Sequence, residues 1–94
     1  MAPKELMALR LLIDHPQGLY GSEFVHLSEG KLNRGTVYAL LERMVDKGFA
    51  REVEEPPTQA LQLTRTRHFI TAPGRAAYNE FLAEHRLQMV PSFS

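Results

Sequence analysis

Apolar residues recur every three or four positions in four parts of the chain, and this spacing places them on one side of an α-helix. The first helix is predicted over residues 3–15, because proline suits a first helical turn and Pro16 stops the helix. A short second helix is predicted over residues 22–28, a third over 33–47, and a last one over 72–89. The 94 residues therefore predict one mainly α-helical domain.

The third predicted helix lies in the stretch LNRGTVYALLERMVDKGFARE, residues 32–52, and has a clear beginning and end. Asn33 is expected to be its N-cap, because an asparagine side chain accepts a hydrogen bond from the first free backbone N–H groups. Gly48 follows Lys47, which is typical of a glycine just after a helix whose last turn carries a cation. One side of this helix is apolar and carries Val37, Leu40, Leu41, Met44 and Val45.

After Gly48 the pattern alternates and predicts strands instead of helices. Residues 49–54 read as one strand, and the two prolines of EPPTQ then exclude both helix and central strand. Residues 61–63 and 67–71 read as returning strand material. Three helices, a two- or three-stranded hairpin and a final helix form the order of a winged helix-turn-helix, mainly α with a small β-hairpin.

Small side chains on the outward side of the third helix indicate its function. Gly35 and Ala39 leave room for close approach, which a helix needs when it enters a DNA major groove about 12 Å wide. The groups around them that we expect to contact phosphate or base edges are Asn33, Arg34, Thr36, Tyr38 and Arg43. Glu42 and Asp46 further along would repel phosphates, so only the first two turns are expected to go deep. The alternative is that Gly35 is merely tolerated and that Ala39 is a neutral surface choice.

Charge supports this interpretation through its distribution. The chain has 11 basic and 11 acidic residues, so its net charge is zero. Residues 31–51 nevertheless hold five basic and two acidic residues, and residues 56–79 hold three arginines and no acid. Two positive blocks are therefore present, one at the third helix and one at the hairpin.

Arg65 and Arg67 form the second positive block, at the hairpin tip or at the beginning of its return strand. Arginines on a projecting hairpin can enter a narrow minor groove, where the potential is most negative. The alternative is a solvated strand edge whose charges block aggregation. Together with the third helix, these arginines predict a domain that binds double-stranded DNA.

Three short motifs resemble the PadR family of bacterial winged-helix transcriptional regulators. GTVY at residues 35–38 is similar to the family's Gly-Thr-Leu-Tyr element, and LLERMVDKGFARE follows it. YGSEF at residues 20–24 resembles Gly-Tyr-Glu-Ile, with Ser22 where tyrosine is usual. RTRHFITAPG at residues 65–74 resembles the family's return strand, about two residues shorter and without its paired tyrosines. The resemblance covers roughly residues 5–85.

The resemblance implies a repressor that dimerises through its last and first helices and often responds to small aromatic molecules. The last helix is short, like that of members with a minimal C-terminal region. The chain has no Trp to stack on a planar ligand. The aromatic candidates at the dimer seam are Tyr78, Phe81 and Phe93.

A homodimer is also expected from the apolar surface, because the last helix has two apolar sides and one small domain can cover only one. Residues 1–72 are predicted to be the winged helix-turn-helix, 73–90 the dimerisation helix and 91–94 a loose tail. The expected interface residues are Met7, Leu11, Tyr78, Phe81, Leu82, His85 and Met89. The alternative is that these residues close the core of a monomer against the wing.

Other chemistry is not indicated by the sequence. Without Cys there is no disulfide or thiolate site, which is compatible with a cytoplasmic protein. The four histidines are scattered and match no metal-ligand spacing. We therefore expect no enzyme, no metal, no cofactor and no membrane partner. The rival hypothesis is a winged-helix module that binds protein instead of DNA, which the overall neutrality and the acidic stretch EVEE beside the wing favour.

Overall fold

The computed structural model describes residues 2–89 and confirms the four predicted helices. Each boundary lies within about one residue of its prediction. The helices are α1 (Pro3–Asp14), α2 (Gly21–Leu27), α3 (Arg34–Asp46) and α4 (Ala72–Met89). The predicted loose tail at 91–94 lies outside the described residues.

The strands form one three-stranded antiparallel sheet in the order β1-β3-β2. They are β1 (Leu19–Tyr20), β2 (Ala50–Glu55) and β3 (Arg65–Ile70). The pairing of β2 with β3 ends at Glu55 opposite Arg65. Residues 61–63 are therefore not strand, and that prediction was wrong: the two prolines after Glu55 stop β2, so no partner strand remains opposite these residues.

The predicted caps of α3 are present. The Asn33 side chain accepts a hydrogen bond from the Thr36 N–H at 2.8 Å. At the other end, Gly48 has φ +80°, its N–H donates to the Val45 carbonyl, and the Phe49 N–H donates to the Met44 carbonyl. This pair of bonds is the Schellman arrangement, in which a left-handed residue ends the helix and turns the chain. Here it turns the chain directly into β2.

α2 begins at Gly21, one residue before its predicted start. Tyr20 is its N-cap residue, and the Tyr20 N–H donates to the Glu23 side chain at 2.8 Å. Ser22 is exposed within the first turn and does not cap the helix. The same tyrosine belongs to β1, so strand and helix join without a linker.

The core lies where α1, α2, α3 and the sheet meet. Its buried apolar residues are Ala8, Leu9, Leu12, Leu19, Phe24, Leu32, Val37, Leu40, Leu41, Met44, Ala50 and Tyr78. One carboxylate is also buried: the Glu5 side chain is 4% exposed and pairs with Lys47 Nζ at 3.0 Å. This ion pair joins the first turn of α1 to the end of α3.

Gly74 allows α4 to begin against the sheet. The Thr71 hydroxyl accepts a hydrogen bond from the Gly74 N–H at 3.1 Å and donates to the Gly48 carbonyl at 2.6 Å. A Cβ at Gly74 would lie 2.0 Å from the Phe49 carbonyl oxygen. Only glycine permits this approach, so α4 is fixed to the end of α3 and the start of the wing.

Candidate nucleic-acid interface

The outward side of α3 is exposed and small, as predicted. Gly35 and Ala39 are both exposed. A Cβ at Gly35 would meet only the Asn33 side-chain oxygen, at 3.7 Å, an ordinary contact distance. Packing therefore does not require glycine at this position, and the open surface remains available to a partner.

The polar residues around this surface differ in how far their side chains are already bound within the protein. Arg34 is exposed and makes no ion pair within residues 2–89. The Asn33 side-chain oxygen already accepts the N-cap hydrogen bond, while its amide N–H groups remain available to a partner. At 100° per residue, Arg34 and Tyr38 lie on the wing side of the helix, and Thr36 and Arg43 lie on the opposite edge.

A basic groove of about 330 Å³ separates the beginning of α3 from the wing. Arg34 contributes one wall and Arg65 the other, and none of the described residues lining the groove is acidic. Hydroxyl groups occupy the positions between them. The lining residues are Tyr20, Gly21, Ser22, Arg34, Tyr38, Leu63, Thr64, Arg65, Thr66 and His68. Two arginines and several hydroxyls are the donors that bind a phosphate group.

A second groove, of about 360 Å³, lies on the other side of Tyr38 and has the opposite charge. Three carboxylates line it, and no Lys or Arg is among its described lining residues. The lining residues are Tyr38, Leu41, Glu42, Val45, Asp46, Glu52, Thr66 and His68. Tyr38 is 54% exposed and forms the ridge between this acidic groove and the basic groove. A phosphate is attracted to the basic side of the ridge and repelled from the other.

His68 lines both grooves from the strand β3, and it is buried. Its Nε2 lies 3.3 Å from a Glu52 carboxylate oxygen. Its Nδ1 makes no hydrogen bond within residues 2–89. Burial lowers the pKa of His68, although Glu52 acts in the opposite direction. The imidazole is thus neutral at neutral pH and does not add to the positive charge of the basic groove.

The two wing arginines occupy the beginning of β3, and they differ. Arg65 is exposed, and its guanidinium lies over the Tyr20 ring, 3.4 Å from the ring centroid. Arg67 is only half exposed, and its Nε donates to the Glu55 carboxylate at 2.8 Å. The wing tip, residues 56–64, contains no Lys or Arg. The basic block therefore begins where the strands β2 and β3 meet the wing tip, and Arg67 is held within the protein.

The residues predicted at a dimer seam fall into two groups. Met7, Leu11 and Tyr78 meet in an apolar hollow of about 320 Å³ between α1 and α4, which Pro3, Leu6 and Arg10 complete. Tyr78 is only 8% exposed, and its hydroxyl oxygen accepts a hydrogen bond from Arg10 Nη1 at 3.3 Å. Tyr78 thus packs mainly in the core of its own chain and offers no more than an edge to a partner.

The second group lies further along α4. Phe81 and His85 stack with their ring centroids 5.0 Å apart. Phe81 and Leu82 are half-buried, and His85 is exposed. Leu82 packs partly against the core, as do Met7 and Leu11. The side chain of Met89, and Phe93, fall outside the described part of the chain.

Tyr20, Ser22 and Thr64 in the basic groove were not predicted from the sequence as site residues. They come from β1, α2 and the wing, and only the folded chain brings them together with Arg34. The motif YGSEF contains the first two and marked Ser22 as a departure from the family pattern, but it carried no sign of what they face. Thr64 carried no signal at all.

No protein-family model matches the chain, and no curated protein is significantly similar to it in sequence. Solved structures do match. The YusO protein from Bacillus subtilis is 20% identical with a TM-score of 0.76, and the match covers 95% of this chain and 58% of YusO. The chain thus spans rather more than half of YusO's length.

Two further structures share the fold. A PadR-like transcription factor from Bacteroides fragilis is 22% identical with a TM-score of 0.75, over 89% of this chain and 81% of that one. A mutant of MepR from S. aureus, bound to an oligodeoxyribonucleotide, is 18% identical with a TM-score of 0.69, over 100% of this chain and 67% of that one. These likenesses confirm the winged helix-turn-helix fold. They also place a PadR-like regulator among the proteins that share it, in agreement with the resemblance found in the sequence.

Proposed function

We propose that the chain is a PadR-like transcriptional regulator that binds double-stranded DNA, with α3 in the major groove. The observation that carries the proposal is the open side of α3 beside a groove with an arginine in each wall. A phosphate in that groove would lie between Arg34 and Arg65, while the small face at Gly35 and Ala39 meets base edges. This is a role in recognition and not in catalysis.

The opposite charges of the two grooves beside Tyr38 support one path for the DNA backbone along α3. The DNA strand that runs beside α3 lies on the basic side of the Tyr38 ridge, at the first two turns of the helix. Glu42 and Asp46 on the acidic side keep the later turns away from phosphates. The contact at the wing is then made by Arg65, next to the wing tip. The DNA-bound structure of MepR is a precedent for DNA binding by this fold.

The proposal extends to a homodimer that represses transcription by occupying its operator. The radius of gyration is 15.1 Å, against about 12 Å for a compact domain of this length. The elongation, together with the half-buried residues Met7, Leu11, Phe81 and Leu82, supports pairing through α1 and α4. Two-fold pairing buries both surfaces with one self-complementary patch. It would also present two α3 helices about 34 Å apart, one helical turn of DNA. The apolar hollow at Tyr78 is where we would expect a small aromatic effector.

The proposal is tested by selecting bound sequences from random duplex DNA and measuring the affinity of the selected site at several salt concentrations. Phosphate contacts release counterions, so the logarithm of the association constant should fall by about 0.9 for each contact per decade of salt. A steep slope and an enriched sequence are expected. Binding without an enriched sequence, or none at all, would contradict a specific DNA-binding regulator.

The rival function, a winged-helix module that binds protein, has one observation in its favour. The acidic groove beside Tyr38 has an apolar floor at Leu41 and Val45, and such a groove suits a basic peptide segment. Fold alone does not separate the two functions. The salt experiment does, because a protein-binding module would not bind duplex DNA with an affinity that falls steeply as the salt concentration rises.

A further inference from the structure

Three side chains form a closed hydrogen-bonded ring on the sheet, close to the end of the β2–β3 pairing that meets the wing tip. One Glu55 carboxylate oxygen accepts from Arg67 Nε at 2.8 Å, and the other accepts from the Tyr20 hydroxyl. The Tyr20 hydroxyl oxygen in turn accepts from Arg67 Nη2. Arg67 and Glu55 each use a different atom for each partner, and the Tyr20 hydroxyl donates to Glu55 while its oxygen accepts from Arg67. The ring joins β1, β2 and β3.

Further contacts hold Arg67 in this position. Its Nη1 donates to the Gln17 carbonyl at 3.4 Å, and its guanidinium lies 4.3 Å from the centroid of the Tyr20 ring. Its aliphatic stem crosses Gly18, where an added Cβ would lie 2.7 Å from the Arg67 Cγ and Cδ atoms. Gly18 also has φ +93°. A glycine is therefore needed at this position both for the backbone and for the arginine stem.

The charges within the ring support one another. The hydrogen bond from Arg67, followed by that from Tyr20, lowers the pKa of the Glu55 carboxyl, so Glu55 is ionised at neutral pH. The hydrogen bond to Glu55 raises the pKa of the Tyr20 phenol, which keeps its proton. The ring therefore persists unchanged across the physiological pH range.

Tyr20 also connects the ring to α3, the helix proposed to enter the major groove. It is the N-cap residue of α2, and α2 is joined to α3 by residues 28–33. The guanidinium group of Arg65 also lies over the Tyr20 ring. A displacement of Tyr20 would change the angle between wing and α3 and would also release the Arg65 guanidinium from its aromatic support.

We propose that Tyr20, Glu55 and Arg67 are positioning residues that set the wing relative to α3 and hold Arg65 at the basic groove. Arg67 then acts within the protein and does not contact DNA, in contrast to the role that the sequence predicts for it. This inference rests on the proposed DNA-binding function.

The deciding variant is Glu55→Gln, because two explanations predict opposite signs. Removing a negative charge near DNA should tighten binding if Glu55 only repels phosphates. If Glu55 positions the wing, the loss of its charge should weaken binding of the selected duplex by about tenfold, the scale of one charge-assisted contact. The salt slope should also fall by about 0.9, which corresponds to the loss of the Arg65 contact. Glu54→Gln, the neighbouring exposed glutamate, is the matched control and should not weaken binding.

A double variant then tests whether the ring acts through Arg65. The double variant Glu55→Gln with Arg65→Gln should bind no more weakly than Arg65→Gln alone, because the ring acts through that arginine. Tyr20→Phe removes only the hydroxyl and serves if Glu55→Gln fails to fold; it should reproduce the weaker binding. The inference is overturned if Glu55→Gln binds as tightly as the unmutated protein or more tightly, or if the two losses add. An unmutated protein that binds no duplex would overturn the proposed function and this inference together.

Discussion

At the scale of single residues, Arg34 carries the most direct prediction. It is exposed, lines the basic groove and makes no ion pair within the described residues, so its removal should leave the fold unchanged. Arg34→Ala should weaken binding of the selected duplex by about 1.5–3 kcal/mol, because it removes a charge-assisted contact to phosphate. Arg75→Ala is the control, because Arg75 is an exposed arginine on α4 that lines neither groove. Equal affinity of the two variants in a fluorescence anisotropy titration would refute the assignment of Arg34.

Gly74 and Gly35 differ in why glycine is present: packing requires it at Gly74, and the proposed DNA contact explains it at Gly35. Gly74→Ala should destabilise the protein by about 1–3 kcal/mol, because its Cβ would overlap a backbone oxygen that cannot move freely. Gly35→Ala should leave stability unchanged or raise it by up to about 1 kcal/mol, since the Cβ meets open space and helix propensity improves. Thermal unfolding of both variants measures the difference.

Gly35→Leu extends the comparison to DNA. A branched side chain at this position would fill the surface that α3 offers to the major groove, so binding should fall while thermal stability is kept. Unfolding of Gly35→Leu would show that the glycine is there for packing, contrary to the open space around it.

At the scale of secondary-structure elements, the ion pair between the buried Glu5 carboxylate and the half-exposed Lys47 fixes α1 against the end of α3. Lys47→Met should cost about 1–3 kcal/mol, because it leaves a buried carboxylate without a partner. Adding Glu5→Gln should restore part of that loss, since a neutral amide is less costly to bury. Urea unfolding of the single and double variants checks this order. A double variant less stable than Lys47→Met would mean that the carboxylate is satisfied in another way.

At the scale of the whole molecule, the prediction concerns assembly. Sedimentation velocity at micromolar concentration should show a dimer. Met7→Glu places a charge in the apolar hollow and should produce a folded monomer with weakened DNA binding, because half of the operator contacts are lost. Leu63→Glu is the control: Leu63 is 66% exposed on the wing, and its substitution should not change the sedimentation coefficient. A monomer in the unmutated protein would contradict the dimer.

Much of this architecture follows from local signals in the sequence. The caps at Asn33 and Gly48, the apolar periodicity of α3 and the prolines after Glu55 act through neighbouring residues, so they could be interpreted without the fold. The same holds for the exposed small face of α3, because helical periodicity alone assigns Gly35 and Ala39 to the side opposite the core. The sequence by itself thus determined the element order, the fold class and the exposed small face of α3.

The tertiary structure decided which of the predicted site residues are free to act. Arg65 and Arg67 look equivalent in the sequence, yet among the described residues it is Arg67 that hydrogen-bonds to Glu55 and Tyr20, which are 12 and 47 residues away. Burial of Glu5, the short strand β1 and the opposite charges of the two grooves beside Tyr38 have the same origin. Each depends on contacts between residues far apart in the chain, and no local spacing encodes the distance at which such groups meet after folding.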